Sequence, residues 1–403
     1  MILESEILNV VNQQKNKLVE HQLGLAREFF PSLKSIASHA LIISGIRRCG
    51  KSTLLLQLMQ HFDNKQIMYL NFDSPQLFDF NVNDFVRLDR IIQNTGAKYL
   101  FFDELQLVEG WEIYIRQKLD EKYVVVITGS NASLLSKELG TRLTGRHITQ
   151  ELFPFSYNEF LKFKELEASV ETLNWYVKMG GFPEYLKSED EEQLYALFQD
   201  IIIRDVVVRY GIKDAKSLQR LATFLISNVG NRITANKLKQ ALSIGATSTV
   251  LAWFSYLEST YLFSFVPMFS YSAKVQLVNP RKVYAVDLGL ASLISSSVMA
   301  DAGRKLENLI FLHLRKQNSD IYFFDDNGEC DFVVIKNGQV THLIQVTLEL
   351  NSDNLQRELN GLRKAMDFFN FNTGIIITSN NRDVIIENNR TINVIPAYEF
   401  LTQ

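Results

Sequence analysis

A phosphate-binding loop constrains the fold of this chain more than any other feature of its sequence. Residues 45–53 read GIRRCGKST, which satisfies the pattern G-x-x-x-x-G-K-[ST], and the apolar run 40–44 comes directly before them. A buried strand, such a loop and then a helix form the arrangement that holds nucleotide phosphates. The sequence therefore predicts an α/β domain with a parallel sheet and a nucleotide at the carboxyl ends of its strands.

Each residue type in the loop has a physical reason. Glycines allow backbone turns that a side chain would block, so that successive N–H groups point at anionic oxygens. Lysine supplies a positive charge for the terminal phosphates, Ser52 is the expected Mg²⁺ ligand, and the helix that begins here directs its positive dipole end at the phosphates. The residues expected to bind the nucleotide are Gly45, Arg47, Arg48, Cys49, Gly50, Lys51, Ser52 and Thr53.

A second apolar strand ends in two acids. The run 98–104 reads KYLFFDE, and a buried strand of this kind places its last side chains at the rim beside the phosphate loop. Asp103 is expected to hold Mg²⁺, directly or through water, and Glu104 to polarise the attacking water. An ordinary polar strand exit is the alternative, but the loop upstream favours the functional interpretation.

Further polar residues are candidate catalytic groups. The strand 123–128 leads to Ser130 and Asn131, where a polar side chain either hydrogen-bonds a terminal phosphate or attacking water, or belongs to a turn and helix N-cap. Arg142 and Arg146 precede an apparent strand, 148–155. Either arginine contacts a terminal phosphate, in its own chain or a neighbour's, or is a solvated loop residue.

Composition excludes several classes of protein. Hydrophobic residues make up 46% of the 403 residues and charged residues 22%, which is typical of globular domains. The two cysteines cannot form a disulfide framework or a cysteine-based zinc site, and a net charge of -3 gives no general attraction to nucleic acid. No apolar run approaches the roughly 20 residues that span a bilayer, so we expect a cytoplasmic protein without a membrane partner.

Longer stretches of the sequence resemble one family. The motifs GIRRCGKST, YLFFDE, ITGSNASLL and GRHITQELFPFSYNEFL are similar to those of bacterial and archaeal AAA-type ATPases of the archaeal ATPase group. The similarity continues through GGFPE, DIIIRD and YAVDLG, so it covers nearly the whole chain. The resemblance, together with the absence of a guanine-reading Asn/Thr-Lys-x-Asp motif, implies ATP as the nucleotide and Mg²⁺ as its metal.

The resemblance also implies four domains of an α/β protein. It predicts a P-loop AAA-type ATPase domain with a parallel sheet core, a helical lid, a winged helix, and a C-terminal α/β domain similar to restriction endonucleases and degenerate in its site. The expected bounds are 1–155, 156–214, 215–295 and 300–403.

The pattern in the middle of the chain fits a winged helix–turn–helix, because three short helices come before two strand-like runs. The third helix carries no Lys or Arg before Glu258, so it lacks a basic face for reading DNA. Basic residues elsewhere suit phosphate contacts, so DNA binding stays open beside protein contacts or packing, which are slightly favoured. These basic residues are Arg232, Lys237, Lys239, Lys274, Arg281 and Lys282.

A second metal site is possible in the C-terminal domain. Glu307 lies on a predicted helix, and Asp331 and Gln345 lie on two strands that follow it. Such a set resembles the metal site of phosphodiester-cleaving nucleases, whose last strand carries an acid-x-Lys pair. Here Thr347 stands at the lysine position and cannot provide an ammonium, although Lys364 on the next helix is a candidate substitute. We therefore predict a fold retained for binding and regard an active nuclease as the less favoured alternative.

The predicted function is that of a Mg²⁺-dependent ATPase whose hydrolysis cycle rearranges the lid, the winged helix and the C-terminal domain. The alternatives are an ATP-regulated DNA-binding protein, with or without residual nuclease activity, and a low-turnover nucleotide-dependent scaffold for protein partners.

Overall fold

The computed structural model describes residues 2–19, 23–28, 38–132, 143, 145–295, 302–317, 320–387 and 389–403. The chain forms two compact units, Met1–Phe153 and Pro154–Gln403. Within the described residues, no helix combines the length and the apolar character needed to cross a membrane.

A five-stranded parallel sheet organises the first unit. The strand order is β2-β3-β4-β1-β5, so β4 separates the strand before the phosphate loop from the strand that ends in Asp103. Every residue of β1 is buried, which requires cover on both faces and explains its continuous apolar sequence. The strands are β1 (Ala40–Ser44), β2 (Ile67–Asn71), β3 (Tyr99–Asp103), β4 (Val124–Gly129) and β5 (His147–Glu151), and the helices are α1 (Glu4–Val19), α2 (Lys51–Met59), α3 (Phe85–Thr95) and α4 (Trp111–Asp120).

Aromatic packing fixes the end of β3. The ring of Phe102 lies 5.8 Å from that of Phe72 and 6.4 Å from that of Tyr114, and Tyr114 stacks on Phe85 at 4.0 Å. These rings belong to the buried core of the first unit. Because Phe102 comes directly before Asp103, this packing holds the acid at the carboxyl end of the strand.

The second unit begins with helices and a small sheet. Gly180 and Gly181 separate the helix Val170–Met179 from the helix Pro183–Ser188, and the helix Glu191–Asp200 continues into a π-helical segment, Ile201–Val208. A three-stranded sheet of order β6-β8-β7 follows. The elements are α5 (Tyr157–Lys164), α6 (Val170–Met179), α7 (Pro183–Ser188), α8 (Glu191–Asp200), α9 (Ala215–Ser227), β6 (Arg232–Ile233), α10 (Ala235–Ala241), α11 (Thr247–Ser259), β7 (Phe263–Pro267), α12 (Ala273–Val278), β8 (Arg281–Ala285) and α13 (Leu288–Ile294).

These elements include the three helices and two strands on which the winged-helix interpretation rests. Helix α12, between β7 and β8, has no counterpart in the sequence prediction. The division of this unit into lid, winged helix and C-terminal domain stays a prediction.

A six-stranded mixed sheet forms the C-terminal part of the second unit. Its order is β13-β14-β12-β11-β10-β9, with antiparallel pairing from β9 to β11 and parallel pairing between β11, β12 and β14. Helix α15 packs its apolar side on β10, β11 and β12. The elements are α14 (Ala302–Lys316), β9 (Asp320–Asp325), β10 (Glu329–Lys336), β11 (Gln339–Val346), α15 (Leu355–Phe369), β12 (Thr373–Thr378), β13 (Asp383–Glu387), β14 (Arg390–Pro396) and α16 (Ala397–Phe400).

The side chain of a buried asparagine connects α14 to β8 by two hydrogen bonds. The Asn308 side chain accepts a hydrogen bond from the Ala285 N–H at 2.8 Å and donates one to the Ala285 carbonyl at 2.9 Å. Asn308→Ala leaves both main-chain groups buried without partners, so we expect a loss of about 2–3 kcal/mol in the free energy of unfolding, measured by chemical denaturation. Asn360→Ala, at an exposed position of α15, is the control and should change stability by less than about 0.5 kcal/mol. Equal effects of the two substitutions would contradict this role.

Candidate functional site

The carboxyl ends of three neighbouring strands form the candidate site. The phosphate loop follows Ser44 at the end of β1, the two acids end β3, and small polar residues end β4 between them. Ser44 pairs with Gly129 across the β1–β4 ladder, which sets these strand ends level with one another. The parallel sheet thus brings together groups that are up to about 85 residues apart in sequence.

The two glycines of the loop are required for different reasons. Gly50 has a φ of 101°, in the left-handed region that favours glycine, and it begins α2. Gly45 does not need such an angle, but a β-carbon there would lie 2.0 Å from the carbonyl oxygen of Leu152. Gly45 therefore permits a close approach between the loop and the residue after β5. The sequence pattern predicted a turn at the loop glycines and did not indicate this approach.

Lys51 lies inside the loop, next to the predicted base. Its side chain is 5% exposed, and its ammonium donates hydrogen bonds of 3.1 Å to the carbonyls of Gly45 and Ile46. It also lies 3.6 Å from a carboxylate oxygen of Glu104. Burial opposes protonation of Lys51, but the nearby negative charges, chiefly that of Glu104, together outweigh it, so the pKa of Lys51 lies above its usual value.

Asp103 is completely buried and accepts hydrogen bonds from three side chains. Thr128 and Ser52 each hydrogen-bond its carboxylate, and the Tyr69 hydroxyl donates to it at 3.2 Å. Burial and the nearby charge of Glu104 raise the pKa of Asp103. The structure therefore places Ser52 and Asp103, the two predicted Mg²⁺ ligands, side by side.

Glu104 is held in a defined orientation. Its backbone is in the left-handed region, with a φ of 54°, and its N–H donates to the Thr128 hydroxyl at 3.1 Å. One carboxylate oxygen accepts hydrogen bonds from the Gln106 amide at 2.5 Å and from the Ser130 hydroxyl at 3.1 Å. Burial by itself would raise the pKa of Glu104, but the charge of Lys51 and these hydrogen bonds lower it below its usual range. Glu104 is therefore ionised at neutral pH.

Several residues of this site were not predicted from the sequence. Thr128 joins Asp103 to the Glu104 main chain, and Gln106 holds the Glu104 carboxylate. A threonine at the end of an otherwise apolar strand was the available signal for Thr128, whereas nothing marks Gln106. Of the two polar residues expected at the tip of β4, Ser130 has the side chain that contacts Glu104. The Asn131 carbonyl accepts a hydrogen bond from Ser44, and a catalytic role for the Asn131 side chain stays a prediction.

The remaining loop residues contact the protein around them. Arg47 lies 3.7 Å from Asp73, and Arg48 has a left-handed φ of 63°. The Cys49 carbonyl accepts a hydrogen bond from Arg27 at 2.9 Å, and the Cys49 thiol is fully buried, which raises its pKa. We therefore expect any contact of Cys49 with phosphates to come from its main chain.

The two candidate arginines do not gain support within the same chain. Arg142 lies outside the described residues. Arg146 comes directly before β5, which begins opposite Ala40 at the amino end of β1, and it forms an ion pair of 2.8 Å with Asp120. The phosphate loop follows the other end of β1, five residues or about 16 Å away. The prediction that Arg146 contacts a phosphate in its own chain is therefore wrong, and contact with a neighbouring chain's nucleotide stays a prediction.

The second predicted site is arranged around a lysine. Glu307 and Asp331 come together, but each lies 2.8 Å from the Lys282 ammonium, which is also 2.6 Å from Glu329. Burial and the charge of Asp331 raise the pKa of Glu307 to about 7, against the lowering effect of Lys282. Gln345 accepts a hydrogen bond from the Asp331 N–H at 3.2 Å, so its carbonyl oxygen is already engaged.

The candidate substitute for the missing lysine does not reach this site's acids. Lys364 donates its hydrogen bond to the main-chain carbonyl of Asn327. Over the described part of the chain, no group of three or more His, Cys, Asp or Glu side chains is arranged to hold a metal ion. The geometry therefore gives no support to a metal at Glu307, Asp331 and Gln345.

Three family models match the chain. A model described as an AAA domain matches residues 37–161, which contain the phosphate loop and the two acids of β3. Two models described as domains of unknown function, DUF8612 and DUF4143, match residues 170–299 and 302–400. Together they divide the chain between an AAA domain and two segments without an assigned role.

The chain is also similar to curated relatives and to solved structures. The uncharacterized protein MJ1544 of Methanocaldococcus jannaschii is 33% identical over 361 residues, which cover 83% of this chain and 80% of that protein. An uncharacterized protein of Haemophilus influenzae is 29% identical over 354 residues, covering 81% and 88%. AMPPCP-bound DnaA from Aquifex aeolicus is 16% identical with a TM-score of 0.27, over 64% of this chain and 89% of that one. The chain therefore belongs to the family of AAA-domain proteins that includes MJ1544 of Methanocaldococcus jannaschii.

Proposed function

We propose that this protein binds ATP with Mg²⁺ at the phosphate loop and hydrolyses its terminal phosphate. The observation that carries the proposal is the position of an ionised carboxylate, Glu104, 3.6 Å from the Lys51 ammonium at the mouth of the loop. A base and a phosphate-binding charge must lie this close if water is to be activated beside the terminal phosphate.

The residues around Ser52 and Asp103 fit a magnesium ion. A hydroxyl and a carboxylate are oxygen ligands of the kind that Mg²⁺ prefers, and here they are in hydrogen-bond contact with each other. A metal bound by this pair would neutralise charge on the phosphate oxygens. Thr128 and Tyr69 hydrogen-bond Asp103 and so orient its carboxylate.

The protein's own groups account for positioning and proton acceptance. The loop N–H groups and Lys51 bind the phosphates, and the start of α2 adds its positive dipole end. Glu104 orients and polarises the attacking water, while Gln106 and Ser130 fix its carboxylate. The site thus holds a base, an ammonium and a metal-binding pair at one edge of the sheet.

Phosphate release by the purified full-length chain tests this proposal. We expect release from ATP in the presence of Mg²⁺, loss of release when EDTA removes the metal, and recovery when Mg²⁺ is restored. We also expect ATP to be preferred over GTP. An absence of ATP turnover under all these conditions, with ATP binding retained, would overturn hydrolysis and leave a nucleotide-binding scaffold.

Thr128→Val tests the support of the two acids. Valine has nearly the same shape but lacks the hydroxyl that contacts Asp103 and the Glu104 N–H, so both lose a partner in a fully buried position. We expect kcat to fall by about 10- to 100-fold, because residues that orient metal ligands typically have effects of this size. Thr149→Val, at an exposed position of β5, is the control and should keep the original rate. An unchanged rate in Thr128→Val would show that the hydroxyl is dispensable.

We further propose that ATP turnover changes the conformation of the second unit. We also propose that the second unit contacts proteins and not DNA. Two of the six basic residues expected to suit phosphate contacts, Arg232 and Lys282, form ion pairs with acids of the C-terminal sheet. Hydrogen exchange of residues 154–403, compared between an ATP analogue and ADP, measures such a change. Identical exchange in the two states would contradict it.

A further inference from the structure

Lys282 lies at the centre of three acids, which we call the carboxylate cluster: Glu307, Glu329 and Asp331. Its ammonium is 2.8 Å from Glu307, 2.6 Å from Glu329 and 2.8 Å from Asp331. The side chain of Lys282 is only 3% exposed. Three carboxylate oxygens therefore converge on one buried positive charge.

The cluster joins three elements of the second unit. Lys282 belongs to β8, Glu307 to α14, and the other two acids to β10. The Tyr284 hydroxyl donates to Glu307 at 2.6 Å, and Arg232, which pairs with Lys282 across β6 and β8, donates to Glu329 at 2.7 Å. Each acid thus has a partner on the β6–β8 ladder, and this arrangement connects that ladder to the C-terminal sheet.

The cluster borders a cavity of about 610 Å³, lined by Lys282, Glu307 and Asp331 among other polar residues. A cavity of this size admits water and small ions. Access alone therefore does not prevent a metal ion from reaching the carboxylates.

The contents of the cluster do not fit a divalent cation. Converging carboxylate oxygens are ligands that such ions take, but the point where these oxygens converge is filled by the ammonium of Lys282. A metal there would meet a like charge, and a displaced ammonium would lose its carboxylate partners Glu307, Glu329 and Asp331. The Gln345 side chain is held by two other contacts, because its carbonyl accepts the Asp331 N–H and its amide donates to Glu358.

We propose that Lys282 is the resident cation of the carboxylate cluster and takes the place of the divalent metal that the resemblance to restriction endonucleases implies. The intact protein then binds no divalent cation at these acids, and the cluster serves to attach the C-terminal sheet and α14 to β8. Removing the ammonium, without changing the acids, converts the cluster into a divalent cation site.

Binding of Mn²⁺ to the full-length chain tests this proposal. Calorimetry and the electron paramagnetic resonance signal of free Mn²⁺ measure this binding. We expect the unchanged protein and Asp331→Asn to bind Mn²⁺ identically, because the cluster contributes no site in either. Lys282→Met should bind one more equivalent of Mn²⁺ than the unchanged protein. Lys282→Met combined with Asp331→Asn should lose that gain, and Lys282→Arg, which keeps the positive charge, should not show it.

Two results would overturn the proposal. One is Mn²⁺ binding by the unchanged protein that disappears in Asp331→Asn, above all if it accompanies Asp331-dependent nicking of DNA. The other is a folded Lys282→Met variant that gains no Mn²⁺. If Lys282→Met does not fold, Lys282→Gln, which keeps a hydrogen-bond donor without the charge, replaces it with the same two criteria.

Discussion

Replacement of Glu104 by glutamine is expected to abolish ATP turnover while ATP binding is retained. Glutamine has the same size and keeps an oxygen that accepts hydrogen bonds, but it is neutral and cannot accept a proton from water. General bases typically contribute about 100- to 10,000-fold to a rate, so kcat should fall by at least about 100-fold. Phosphate release measures turnover, and equilibrium titration with a fluorescent ATP analogue measures binding.

Two comparisons make this result specific. Glu109→Gln, at an exposed position after β3, removes the same charge away from the site and should leave kcat unchanged. Lys51→Ala should weaken ATP binding as well as turnover, because the loop loses its only lysine beside the phosphates. Retention of the original kcat in Glu104→Gln would exclude Glu104 as the base, even if Lys51→Ala were inactive.

Gly180→Ala is expected to destabilise the second unit strongly. A β-carbon at Gly180, whose φ is +72°, would lie 2.2 Å from a carboxylate oxygen of Asp287. That carboxylate is buried and accepts hydrogen bonds from the N–H groups of Gly181 at 2.6 Å and Leu290 at 2.8 Å. Displacing Asp287 breaks both contacts, so we expect a loss of about 3 kcal/mol or more in the free energy of unfolding, measured by chemical denaturation.

Alanine at a matched glycine, Gly338, is the control that separates the cost of the close contact from the cost of backbone strain. Gly338 has a φ of +77°, close to that of Gly180, but a β-carbon there would meet nothing within 4 Å. Gly338→Ala therefore carries only the cost of the left-handed backbone, about 1 kcal/mol. Equal losses in the two variants would show that the contact with Asp287 does not matter.

The same contact explains why two separate motifs of the sequence belong together. GGFPE contains Gly180 and Gly181, and YAVDLG contains Asp287, more than 100 residues later. Asp287 caps α13 and holds the chain at the break between α6 and α7, and burial raises its pKa to about 6 against the effect of its N–H donors. Sequence reasoning identified both motifs through the resemblance, but their meeting is a property of the folded chain.

The nucleotide site could be predicted in large part from the sequence. The loop, Asp103 and Glu104 are recognised by local patterns, because a buried parallel strand delivers its last residues to one edge of the sheet whatever the rest of the chain does. Thr128 and Gln106 were missed because their partners lie on another strand or across a turn. Arg146 was misplaced because a residue that precedes a parallel strand lies at the edge of the sheet opposite the phosphate loop, and the parallel direction of β5 is not encoded in local spacing.

By itself, the sequence determined an α/β domain with a phosphate loop and a pair of acids, since strand periodicity and loop chemistry act over short distances. Only the tertiary structure decided what surrounds the acids of the C-terminal sheet. Lys282 is 25 residues before Glu307 and 49 before Asp331, and no spacing rule connects them. Their meeting depends on how β8, α14 and β10 pack, because charges are paired by position in space and not by position in the chain.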